Sequence, residues 1–216
     1  MSKGDNIYMD FRLEAKNYHD PERMAADYLS TYFGNQKIEY PINPFKMLRD
    51  EGVFFALSDF KKLEGIYIPS STDGKGPVVG INANRPITRQ RFTAAHELCH
   101  HFHDADRENT CPIGSRNATE KFAESFAAAV LMPLTELRVQ VNKRKNSRGN
   151  VSFDDVLEIS NYFGVSFSAC MYLIAYKIHA IEGDTEPSAL EKRIQKYKPD
   201  SVRKNRHITY ENLYRR

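Results

Sequence analysis

One stretch restricts this chain more than any other: RFTAAHELCHHFH, at positions 91–103. Phe92, Ala94, Ala95, Leu98, Cys99 and Phe102 leave a helix here too apolar for the surface, so it has to be buried. Thr88 stands where it can cap that helix. The same buried helix nevertheless carries His96, Glu97 and His100, in the pattern His-Glu-x-x-His. Residues four apart project from one face, so the two imidazoles can grip one metal ion from a single side. Glu97 lies about 100° round the helix, beside such a metal rather than on it. Buried imidazoles without partners are costly, so the fold has to supply some.

A catalytic zinc keeps three protein ligands and one water, and geometry sorts the candidates for the third. His103 is on the histidine face but seven residues from His96, roughly 10 Å of rise, too far to share an ion on a straight helix. Asp104 and Asp106 sit where the helix ends and could bend back, although they are also ordinary helix-end residues. Cys99 is off the histidine face and reads as a small buried residue. Glu120 and Glu124 remain, on a separate helix. A carboxylate among the alanines of that helix needs a cation, and a metal on His96 and His100 is one. The chemistry expected of these parts is hydrolysis: the metal lowers the pKa of a water toward ~7, Glu97 takes its proton as general base, and the leaving amine is protonated in turn. His101, His103 or a tyrosine would stabilise the oxyanion.

Along the chain, residues 1–18 have no sustained period and read as a loose leader. Asp20-Pro21 then caps and opens a helix that runs to Gly34, and Asn43-Pro44 repeats the device for a short helix closed by Gly52. Residues 53–57, 66–68 and 78–81 are short runs of β type. A small sheet of about three strands packed on helices is therefore expected, with the histidine helix behind it. A second long helix spans about 118–131 and stops at Met132-Pro133. Ser152 and Asp155 form a capping box for a helix that ends at Gly164, and another follows from Ser166 or Ser168 to about Ala180. The fold class is α+β. Its expected divisions are a core at 19–145, a helical hairpin at 146–182 packed on or appended to it, and a basic C-terminal tail at 183–216.

Composition narrows the partners. The N-terminus has no apolar signal core and no apolar run approaches the roughly 20 residues of a membrane span, so a soluble, cytoplasmic protein with no membrane partner is expected. Three cysteines, Cys99, Cys111 and Cys170, are odd in number and scattered, which argues against a disulfide framework or a zinc ribbon. Residues 191–216 hold nine Lys/Arg against three Asp/Glu in a chain of net charge +3, so the rest is net acidic. Such a tail can bind nucleic acid, but a solvated tail is the favoured reading. The helix, turn, helix at 152–180 has the outline of a DNA-reading unit, yet its second helix offers few basic or amide side chains to a groove. Direct nucleic-acid binding is not favoured.

Two motifs carry a resemblance. RQRFTAAHELCHHF, followed by EKFAESFAAAVLMP at 120–133, resembles the ImmA/IrrE metallopeptidases, which often show R-x-x-F-T-x-A-H-E-x-x-H and then E-x-x-A-N-x-F-A-A-x-L-L-M-P. VSFDDVLEISNYFGVSFSACMYLI is similar to the helical segment after their peptidase core, so the likeness covers residues 20–182. The resemblance implies a zincin-like core, a divalent metal (Zn2+, with Mn2+ as the alternative) and cleavage of a helix-turn-helix repressor in phage, mobile-element or stress-response regulation. It places His96, Glu97 and His100 on the metal motif and Glu120 on the third ligand. Position 99 is Cys where Gly is common, and position 124 is Glu where Asn is usual. Glu124 thus stands as a group that steadies a ligand or competes with one. The alternative function is a non-catalytic module that binds a repressor or antitoxin, or the toxin of a toxin–antitoxin pair.

Overall fold

Asp20 accepts hydrogen bonds from the backbone N–H of Glu22 and Arg23 at 2.9 and 3.1 Å, and Pro21 opens helix α1, Pro21–Phe33. Asn43 caps α2, Pro44–Asp50, in the same way. The protein is seen here in a computed structural model, which describes residues 11–72, 74–105, 109–112 and 117–206. The described residues fall into two compact units, one up to Leu131 and one from Met132 on. Among them no helix is long and apolar enough to cross a membrane.

In the first unit, strands β1, Phe54–Ser58, β2, Leu63–Ile68, β3, Val78–Asn82, and β4, Asn109–Pro112, form a four-stranded sheet in the order β1-β3-β2-β4. β1 runs parallel to β3, while β2 is antiparallel to both β3 and β4. The fold class is the expected α+β, with β4 as an added strand in a stretch whose turn-forming residues concealed it. Helix α3, Ile87–His103, packs on β2 and β3 and is flanked by α2 and by α4, Ala118–Leu131, which in turn lies against α1. α3 starts after Pro86 with no side-chain cap, so Thr88 lies inside the helix instead of capping it. Proline at that point already removes one N–H that would need a partner.

Tyr28 of α1 stands 4.9 Å from the Phe102 ring of α3 and 6.2 Å from that of Phe126 in α4, with Phe11 completing the group at 5.5 Å. Residues 11–15, assigned above to a loose leader, are helical, with Phe11 and Ala15 buried. Arg12 there pairs with the buried carboxylate of Glu51. So short a stretch shows no period in sequence; its place is set by the aromatic cluster it covers. The guanidinium of Arg91, wholly buried in α3, donates to the Ile42 carbonyl at 2.6 Å and ties α3 to the segment entering α2.

The second unit begins at Met132, and its first helix is α5, Leu134–Asn142. Helix α6, Phe153–Phe163, has the capping box at Ser152 and Asp155 and ends on Gly164 in the left-handed region, φ 65°. Ser166 caps α7, Phe167–Leu173, which continues as a single wider π-type turn over Ile174–Ile178. The stretch read as a basic tail folds into α8, Pro187–Tyr197, and α9, Pro199–Asn205. Leu190 and Ile194 are buried one helical turn apart, and Arg203 donates to Ser160 and Asn161 of α6 at 2.8 and 3.0 Å. High charge masked that apolar spacing in the sequence. Residues 207–216 of the tail lie outside the described residues.

Candidate metal centre

α3 presents His96 and His100 on one face, as four-residue spacing requires, with their Nε2 atoms 3.1 Å apart. α4 crosses that face and delivers Glu120, whose Oε2 is 3.3 Å from His96 Nε2 and whose Oε1 is 3.5 Å from His100 Nε2. Small residues make this approach feasible: Ala94 and Ala95 of α3 and Ala123 and Ala127 of α4 are all buried. All three residues are buried, and their candidate donor atoms lie within 4.8 Å of one another.

Asp104, weighed above as a ligand, takes another position. As the C-terminal cap of α3 it places Oδ2 3.1 Å from His100 Nδ1. Nδ1 is thereby engaged by the carboxylate, and Nε2 is the nitrogen that faces His96 and Glu120. Asp106 lies outside the described residues. Glu124 is exposed and joins neither of the clusters of donors found among the described residues. His101 meets the Tyr67 hydroxyl at 3.1 Å through Nδ1, on the sheet side of α3. His103 bonds the Tyr18 carbonyl at 3.2 Å and stacks on Phe122, with ring centres 4.4 Å apart.

Glu97 is the unusual group. It is wholly buried, and neither carboxylate oxygen has a hydrogen-bond partner. β2 passes directly over it: a Cβ at Gly65 would stand 2.3 Å from Glu97 Oε1 and 2.5 Å from Thr93 Cγ2, so only glycine fits. Nothing in the spacing of LEGIYI marks Gly65 as the residue that makes room for Glu97. A second missed residue is Cys111 of β4, whose sulfur lies within 4.8 Å of a ring nitrogen of His96 and an oxygen of Glu97. A lone cysteine in a polar, turn-rich stretch carries no signal of that.

Electrostatics follow from this crowding. Burial pushes the Glu97 carboxyl up to about 8. For Glu120, burial favours the neutral acid, but hydrogen bonds from His100 and His96 outweigh it and hold the carboxyl well below the usual range. Burial also disfavours charge on both imidazoles. It prevails at His96, whose pKa is lowered, while Asp104 and Glu120 overcome it at His100 and raise that ring to about 9. Two inward ring nitrogens, a carboxylate and an unpartnered buried carboxyl are a donor set short of positive charge. The residues fit a divalent cation.

A family model described as Peptidase_M78, the IrrE N-terminal-like domain, matches residues 53–173, more than half of the chain. The chain belongs to this family. The match takes in the whole IrrE-like arrangement of sheet, α3 and α4, and ends at the last residue of α7. No curated protein matches the chain. For this IrrE-like domain the family indicates a peptidase, and His96, His100 and Glu120 form a group able to hold a metal ion.

Proposed function

We propose that this chain is a zinc endopeptidase, with manganese as the alternative metal, that cuts a helix-turn-helix transcriptional repressor in a phage, mobile-element or stress-response circuit. The observation that supports catalysis is the convergence of His96, His100 and Glu120 beside a buried Glu97 with two unpartnered oxygens. Membership of the family supports a protein substrate.

A divalent metal on His96, His100 and Glu120 supplies a Lewis acid for the scissile carbonyl and a water of lowered pKa. The chain's own groups do the remainder. Asp104 fixes the His100 tautomer through Nδ1. Glu97, with no competing partner, accepts the proton of the attacking water and returns it to the leaving amine. Gly65 and Thr93 hold β2 and α3 close enough to restrict where that carboxylate can go.

The test is co-expression with a helix-turn-helix repressor from the same genome, comparing wild type with Glu97→Gln and following the repressor by intact mass. A single cut is expected from wild type alone. Loss of the general base should slow cleavage roughly 10²- to 10⁴-fold while metal content stays the same. A repressor that stays intact and co-purifies equally with both versions would overturn the proposal in favour of a binding module.

A further inference from the structure

Cys111 has no part in the chemistry above, yet the fold aims it at the site. In the pairing of β2 with β4, Cys111 stands opposite Gly65. Cross-strand partners project on the same face of a sheet. At Gly65 that face meets α3, since an added Cβ would collide with Glu97 and Thr93. Cys111 therefore leans over the space the glycine leaves, which brings its sulfur within 4.8 Å of both His96 and Glu97. His96 belongs both to this group, with Glu97 and Cys111, and to the group of His96, His100 and Glu120. The cysteine is buried and free of any disulfide. Glu97, wholly buried and unpartnered at both oxygens, is a second and independent sign that this corner awaits a ligand.

Three protein ligands leave one position of a tetrahedral zinc open. We propose that Cys111 closes it: the thiolate is a fourth ligand beside His96, His100 and Glu120, and the resting centre is latent until the sulfur withdraws from the position next to Glu97. This rests on the metal reading of the site. Closing, the thiol gives a proton to solvent as the sulfur–metal bond forms; opening, that bond breaks, the sulfur regains a proton and water enters. No electrons change hands. A thiolate also selects zinc or cobalt over manganese, which prefers oxygen donors.

Cobalt(II) added to the full chain is the probe. Wild type should show a sulfur-to-cobalt charge-transfer band in the near ultraviolet. Cys99→Ala and Cys170→Ala should keep it, and both Cys111→Ser and Cys111→Ala should lose it while retaining the visible bands of cobalt held by the other three ligands. Zinc affinity should fall in the Cys111 variants by on the order of 100-fold, at least the loss that follows removal of an outer partner, and manganese affinity should hardly move. Visible cobalt bands in wild type without charge transfer, or a charge-transfer band that survives Cys111→Ser, would overturn the inference and leave the three-ligand site standing. No cobalt bound by wild type at all would sink both.

Discussion

Helices α3 and α6 are stabilised in opposite ways. α6 is secured locally: Ser152 and Asp155 satisfy each other's backbone N–H groups, Gly164 ends the helix, and Val156, Leu157, Ile159 and Phe163 are buried while Asp154 and Glu158 stay in water. α3 has no side-chain cap, and it buries Arg91, His96, Glu97 and His100 along with its apolar residues. A helix that its own sequence stabilises can afford to be ordinary inside. One that carries ionisable groups into the interior depends on what surrounding elements, and a metal, offer those groups.

The sharpest way to break this comparison is the metal. Zinc at about 1,000 times its Kd should stabilise the chain by about 4 kcal/mol. Hydrogen exchange should place that gain in α3 and α4, with α6 amides unchanged. An equal gain in α6, or none in α3, would contradict the contrast. Next is Gly65→Ala, which forces a methyl against Thr93 and Glu97. Overpacking of this kind costs about 1–3 kcal/mol, read from the denaturant midpoint, and zinc affinity should fall with it; a neutral outcome would mean that β2 does not set the position of Glu97.

Ser152→Ala tests the other helix. It removes the acceptor for the Asp155 N–H, which should cost about 1 kcal/mol in thermal unfolding and leave metal binding untouched. The smallest effect expected is in acid. Hydrogen bonds from Tyr197 and then Arg206 hold the Asp154 carboxyl below its usual range. A folded pKa below the unfolded value of about 3.9 means that the contribution is present above that pH and lost as pH falls through the folded pKa. Asp154 is exposed, so Asp154→Asn should change stability near neutral pH by under about 1 kcal/mol and flatten the acid limb slightly. A steeper acid limb in the variant would show the sign to be wrong.

Much of the fold was legible because its signals are local. Asp20-Pro21, Asn43-Pro44, the Ser152 capping box, Gly164 and Met132-Pro133 each act within one helical turn, and each marks the boundary where it stands. Legibility failed where the governing contact is remote. Residues 11–15 are helical under an aromatic cluster drawn from α1, α3 and α4. α8 and α9 owe their place to two buried aliphatics and to Arg203 reaching α6, none of which a charge count reveals. Strand β4 exists because β2 pairs with it.

The same division runs through the candidate site. Sequence by itself determined that His96 and His100 share a face and that Glu97 stands beside it, because helical spacing is a property of neighbouring residues. Only the tertiary structure decided which distant groups arrive there. The packing of α4 on α3 turns Glu120 inward and leaves Glu124 in water, and the end of α3 sends Asp104 to the far nitrogen of His100. The register of β2 with β4 sets Cys111 opposite Gly65, over Glu97. Those placements depend on helix packing and strand register between residues far apart in the chain, and no short window of sequence contains both sides of such a contact.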